Sequence, residues 1–143
     1  MIKEFEILTN EERLLLFKAP AIVAVQALSA YKEITKAQTE SVIKLAHIKT
    51  FTEQQLLIPY YEEADRHFKK NFEDYIERFS PFDAPHCAAL KNEMDKVNEI
   101  INKLDDVFAG GLRKSLAGFT RHVNNAGHNF FQDLIFPVTF SKL

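Results

Sequence analysis

Residues that break helices are scarce in this 143-residue chain, which contains four glycines and five prolines. The long stretches between them are rich in Ala, Leu, Lys, Glu and Gln, which all have high helix propensity. The one stretch that resembles a strand, 136–140, contains Pro137, and proline is excluded from central strands. The sequence therefore predicts an all-α fold, a compact bundle of about six to seven helices in a single domain over 1–143.

The composition is that of a folded globular domain, with 46% hydrophobic and 27% charged residues. Lys and Arg total 18 against 20 for Asp and Glu, so there is no basic excess of the kind that binds nucleic acid. We therefore expect no nucleic-acid partner. The single cysteine, Cys87, cannot form an intramolecular disulfide, which fits a reducing compartment.

The N-terminal segment carries acidic residues where a secretory signal would have its apolar stretch, so no signal peptide is expected. The longest uncharged run, 19–31, is shorter than the roughly 20 residues that cross a bilayer. We therefore expect no membrane span and a cytoplasmic location.

Two capping residues and a proline mark three helix starts in the first third of the chain. Thr9 stands three residues before Glu12, the spacing of a capping box, and predicts the start of a first helix. Pro20 suits the first turn of a second helix, which is apolar nearly all round and should be central. Thr35 is predicted to cap a third helix that ends near His47.

A further capping-box spacing, Thr52 with Gln55, predicts the start of the longest helix, which extends to about Phe79. Pro59 lies within this segment, so it either bends the helix or marks its true start after a separate short turn. Beyond the proline, apolar residues recur at helical spacing and predict one buried face. That face contains Ala64, Phe68, Phe72, Tyr75 and Phe79.

Apolar residues in the second half alternate at gaps of four and three, the spacing of helices that pack lengthwise at a shallow angle. They are Leu90, Met94, Val97, Ile101, Leu104 and Phe108, then Leu112, Leu116, Phe119, Val123 and Ala126. Gly110 and Gly111 interrupt the series, which predicts two antiparallel helices joined at the glycine pair. Gly127 is predicted to end the second helix in a left-handed cap.

The segment 128–143 contains too much apolar surface to remain in water. Its aromatic residues are candidate interaction residues, namely Phe130, Phe131, Phe136 and Phe140. Two arrangements stay open. The segment either closes the bundle of its own chain as a final turn and strap, or it is buried in a protein partner or a symmetric homodimer.

Histidines and carboxylates are the candidates for a metal or ligand site, because helical bundles place such side chains around metal ions. Glu63 and His67 stand four apart on one predicted helix and could share a ligand. His122 and His128 stand six apart and point differently on a continuous helix, unless a cap at Gly127 redirects the second. Solvated or packed side chains explain all four equally well, so no particular cofactor is implied.

Residues 8–40 read LTNEERLLLFKAPAIVAVQALSAYKEITKAQTE, with an acidic cap, leucines, Ala-Pro, an alanine-rich apolar helix, a short turn and a polar-capped helix. This pattern resembles the tellurite-resistance TerB-like proteins, and the placement of apolar residues in 104–123 is similar to their final helices. The resemblance implies a compact all-helical fold and a role in stress-response assemblies. That family's Ala-Asp-Gly turn and acidic cluster, associated with divalent cations, are replaced here by Ala-Tyr-Lys-Glu at 30–33, so metal binding is not carried over.

Two hypotheses of function follow from these patterns. A non-enzymatic protein-interaction or scaffold module fits the large apolar faces, the balanced charge and the lack of a convergent catalytic set. A small-molecule or metal-binding bundle would instead recruit the four candidate residues into a pocket between helices. An enzyme ranks third, because it would need residues from separate helices to converge.

Overall fold

The computed structural model describes residues 2–31 and 34–135, and their side chains except at 50–52 and 126–135. Over this part of the chain it contains six α-helices and no strand, which confirms the predicted all-α bundle. The helices are α1 (Asn10–Phe17), α2 (Ala19–Leu28), α3 (Lys36–Thr52), α4 (Ile58–Phe79), α5 (Ala84–Ile101) and α6 (Asp106–Ile135). Two short 3-10 helices, Lys3–Phe5 and Gln55–Leu57, precede α1 and α4.

Helix α2 is the central helix, as predicted, and packs against α4, α5 and α6. Residues 19–25 and Leu28 are buried, so nearly its whole circumference contacts other helices. Pro20 lies in its first turn and has no backbone N–H to donate to the carbonyl oxygen of Leu16. The buried hydroxyl of Tyr60 donates to that oxygen instead, at 2.6 Å, so the proline leaves no carbonyl unpaired between α1 and α2.

Both predicted capping residues of the first third are confirmed. The Thr9 hydroxyl accepts from the backbone N–H of Glu12 at 3.1 Å, and the Glu12 carboxylate accepts from the Thr9 N–H at 2.9 Å. Thr35 and Gln38 make the same pair of bonds at the start of α3, at 3.1 and 2.9 Å. These capping boxes satisfy backbone donors that have no partner within the helix.

The predicted boundary between the third and fourth helices is wrong. Helix α3 does not end near His47 but continues to Thr52, so Thr52 does not cap the long helix. The short 3-10 helix follows, and α4 begins at Ile58 with Pro59 in its first turn, where the missing donor is harmless. Pro59 therefore marks the true start of the long helix, the second of the two alternatives. The buried face predicted beyond it is confirmed.

The predicted junction at the glycine pair is also wrong. The turn between α5 and α6 is at 102–105, and the Asp105 carboxylate begins α6 by accepting from the N–H of Phe108 at 3.0 Å. Gly110 and Gly111 lie inside α6, as does Gly127, which does not form the expected left-handed cap. A glycine inside a helix costs about 1 kcal/mol, which burial of residues such as Phe108 and Leu112 offsets.

None of the helices in the described part of the chain is long and apolar enough to cross a membrane.

Candidate functional site

Four polar side chains meet inside the bundle, where α3, α4 and α6 come together. We call Lys49, Glu53, Tyr61 and Ser115 the polar cluster. The hydroxyls of Tyr61 and Ser115, which are 3% and 5% exposed, share a hydrogen bond of 2.5 Å. On α3, the Lys49 ammonium lies 2.9 Å from the Glu53 carboxylate, and these side chains are only 13% and 11% exposed. The cluster joins three helices through polar bonds in a largely apolar core.

The ionisation of the cluster follows from its neighbours. Burial raises the pKa of Glu53, but hydrogen bonds from Lys49 and Ser115 outweigh burial and hold this pKa below its usual value of 4.5. Burial raises the pKa of Tyr61, the hydrogen bond shared with Ser115 acts against this rise, and the Glu53 charge adds to it. At neutral pH the cluster therefore contains an ionised carboxylate at Glu53 and a protonated phenol at Tyr61.

These protonation states make the cluster a poor catalytic set. A nucleophilic serine needs a neighbouring base that accepts its proton. Tyr61 keeps its own proton, and the low pKa of Glu53 makes it a weak base. The arrangement is better suited to fixing the relative positions of the three helices than to proton transfer.

A small cavity adjoins the cluster between Lys49, Tyr61, Ala64 and Phe119. Its volume is about 10 Å³, which is the lower limit for one water molecule. His47 and Asp65 bridge α3 and α4 beside it, with 2.8 Å between Nδ1 and the carboxylate oxygen. The cavity has no room for an organic ligand.

Two of the predicted ligand residues are neighbours on the surface of α4. The Nε2 of His67 lies 3.7 Å from a carboxylate oxygen of Glu63, and both side chains are well exposed. They line a groove of about 220 Å³ between α4 and the junction of α1 and α2. Phe17, Lys18 and Lys70 also line this groove, so it combines an apolar wall with both signs of charge.

Of the two predicted ligand residues on α6, the structure describes the side chain of His122 but not that of His128. His122 is exposed on α6. Helix α6 continues through Gly127, so the backbone provides no cap that would redirect His128, whose side chain lies outside the described residues. Among the side chains that are described, no three from His, Cys, Asp and Glu are grouped so that they could hold a metal ion.

The predicted aromatic interaction residues lie at the C-terminal end of the chain. Phe130 and Phe131 belong to the last turns of α6, with side chains outside the described residues. Phe136 and Phe140 lie outside the described residues altogether, and so does the remainder of the proposed strap.

The sequence predictions do not include the polar cluster, although two signals for it are present. Lys49 and Glu53 have the four-residue spacing of a helical ion pair. Ser115 stands between Leu112 and Leu116 in the buried series of α6, where a polar side chain needs a partner. That the partner is Tyr61, 54 residues away, depends on how the helices pack.

Comparison of the chain with models of protein families, with curated proteins and with solved structures found no match.

Proposed function

We propose that this protein is a non-enzymatic interaction module that pairs with a second copy of itself through the C-terminal end of α6. The observation that carries the proposal is the length of α6, which has 30 residues, against 17 for α3 and 10 for α2, the helices it packs on. A helix this much longer than its neighbours is suited to contacts outside its own bundle.

The contacts between α3 and α6 indicate where the bundle ends along α6. Gly118 lies near the Lys49 ammonium, and Ser115 bonds to Glu53, so the two helices run antiparallel. Ala46 and Phe119 line the same small cavity. Both helices rise about 1.5 Å per residue, so these three contacts bring Lys36, the first residue of α3, opposite positions 129 to 132 of α6.

The last turns of α6, 130–135, lie at or beyond that level and have the sequence FFQDLI, with four large apolar residues in six. The spacing of the buried residues Leu116, Phe119 and Val123 continues in the sequence through Ala126 to Phe130 and Leu134. Such spacing favours lengthwise pairing with another helix.

The charge of this end favours a second copy as the partner. Between 124 and 135 the sequence contains no Lys or Arg and a single acid, Asp133. Two copies can therefore approach with little repulsion, and a two-fold interface buries the same apolar residues on both. The resemblance to TerB-like proteins leads us to propose stress-response assemblies as the wider setting.

A double substitution in α6 tests this proposal. We expect sedimentation velocity of the wild-type protein to give a dimer whose fraction rises with concentration. The variant Phe130→Ser with Leu134→Ser should sediment as a monomer and keep the helical circular dichroism spectrum. The matched control is Leu14→Ser with Val107→Ser, which replaces two apolar residues that are 63% and 74% exposed, and it should remain a dimer.

The competing arrangement, in which the segment closes its own bundle, gives the opposite pattern. The wild-type protein would then be monomeric at all concentrations. The double variant would unfold at a lower temperature by an amount that does not depend on concentration. That result would overturn the proposed self-association.

A further inference from the structure

A groove of about 270 Å³ lies on the surface between α2, α5 and α6. Val23, Ile101 and Leu116 lie beneath its floor and are 5%, 0% and 3% exposed, and Ala117 presents apolar surface to solvent beside them. Met94 lies half-buried in one wall, and methionine adapts to the shape of a bound apolar group. One water molecule needs only about 10 to 15 Å³ of such space, so the groove can accommodate a small organic molecule.

Polar side chains surround this apolar floor. Gln26 is an exposed polar residue on α2, a helix that is otherwise apolar or small, and it lines the groove together with Asn98 and Thr120. The Thr120 hydroxyl donates to the Leu116 carbonyl oxygen at 3.0 Å, so its lone pairs remain for a ligand donor. Most small-molecule sites combine such a floor with a few polar groups.

Arg113 gives the groove its charge, since no other residue lining it is titratable. Its guanidinium donates to the side-chain oxygen of Asn102 and not to a carboxylate, which leaves further N–H groups. The groove between α4 and α1 contains Glu63, and a third groove, between α3 and α4, contains Glu73 and Glu77. The Arg113 groove thus differs from both in being positive and free of carboxylates.

We propose that the Arg113 groove binds a small monocarboxylate with an apolar chain. The carboxylate accepts two hydrogen bonds from the forked guanidinium of Arg113, a geometry for which arginine is suited. The apolar chain contacts Met94 and Ala117, above the buried side chains of Val23, Ile101 and Leu116. This site is distinct from the C-terminal end of α6 and does not depend on self-association.

Methyl spectra of the full-length protein provide a direct test. The chain has two methionines, Met1 and Met94, so ¹³C-methyl labelling of methionine places one probe in the groove. We expect titration with hexanoate at pH 7 to shift the Met94 methyl signal in a saturable way. Hexanamide has the same chain but no charge, and it should bind at least about tenfold more weakly, because hydrogen bonds to charged groups are stronger.

Matched substitutions on α6 assign the binding to Arg113. Arg113→Gln should weaken hexanoate binding by about tenfold or more. Arg121→Gln removes the same charge from an exposed position on the same helix and should leave binding unchanged. If Arg113→Gln does not fold, Ala117→Leu provides the second test, because it places a larger side chain into the groove from an exposed position and should abolish binding.

Three results would overturn the proposal. The first is a Met94 signal that does not move with hexanoate up to tens of millimolar. The second is equal binding of hexanoate and hexanamide, and the third is equal loss of binding in the two arginine variants.

Discussion

Replacing Ser115 by alanine perturbs the polar cluster at the place where three helices meet. Ser115 bonds to the hydroxyl of Tyr61 at 2.5 Å and also donates to the Glu53 carboxylate. Alanine can make neither bond and is too small to bring new partners into reach. The Tyr61 hydroxyl, in a side chain that is 3% exposed, loses the bond to Ser115.

The expected loss of stability can be worked out from the two hydrogen bonds that Ser115 makes. Each contributes about 0.5 to 1.5 kcal/mol, so losing both costs about 1 to 3 kcal/mol. A chain of this length has an unfolding entropy of about 0.3 kcal/mol per degree, from roughly 2.1 cal/mol/K per residue. Ser115→Ala should therefore lower Tm by about 3 to 10 °C. Ser80→Ala removes an exposed hydroxyl that donates to the carbonyl oxygen of Ile76 at 2.6 Å, and it should cost about 1 kcal/mol or less because water can replace the lost bond.

A double-mutant cycle determines whether the loss comes from the pair. Ser115→Ala, Tyr61→Phe and the combined variant are compared by urea unfolding. Because Tyr61→Phe and Ser115→Ala each remove the same hydrogen bond, the double variant should be more stable than additivity predicts, by about 0.5 kcal/mol or more. Additive effects, within about 0.3 kcal/mol, would refute the reasoning that the two hydroxyls act as a unit.

Three further predictions concern other parts of the fold. Burial raises the pKa of Glu53, but the bonds from Lys49 and Ser115 lower it more. Its ionised form therefore adds stability above the unfolded pKa, and this stability is lost as the pH falls through the folded pKa. When Tm is measured from about pH 7 to pH 3, Glu53→Gln should make the fall in Tm below about pH 5 less steep. Thr35→Ala removes a capping box and should cost about 1 kcal/mol, read as a drop in Tm of about 3 °C, whereas an unchanged Tm would argue against that cap. Replacing His67 and His122 together by alanine should leave the metal content of the purified protein, measured by elemental analysis, unchanged. The reason is that His67 has one close carboxylate partner and His122 is exposed. A loss of metal in this variant would contradict the prediction.

Local chemistry was sufficient to predict much of the fold. Thr9 and Thr35 cap their helices through side chains three residues away, and such contacts depend only on neighbouring sequence. The buried face of α4 follows likewise from the spacing of its aromatic residues. Pro59 offered two alternatives, and only the packed structure distinguishes a bend from a helix start.

The errors occurred where tertiary packing outweighs local preference. A glycine pair such as 110–111 is typical of a turn. It lies inside α6 because the buried residues around it pack best in a continuous helix. The actual turn carries Asp105, whose capping role is a local signal that the sequence predictions left unused. The spacing of Lys49 and Glu53 indicates an ion pair, but the contact between Tyr61 and Ser115 forms only after the helices pack, so the full polar cluster could not be predicted.

Native mass spectrometry of the protein as purified tests the central claim most directly, because one spectrum reports the oligomeric state and any retained ligand or metal. The proposed self-association predicts a species of twice the chain mass, which becomes a monomer in the Phe130→Ser, Leu134→Ser variant. A wild-type spectrum that contains only monomer at micromolar concentration would contradict it.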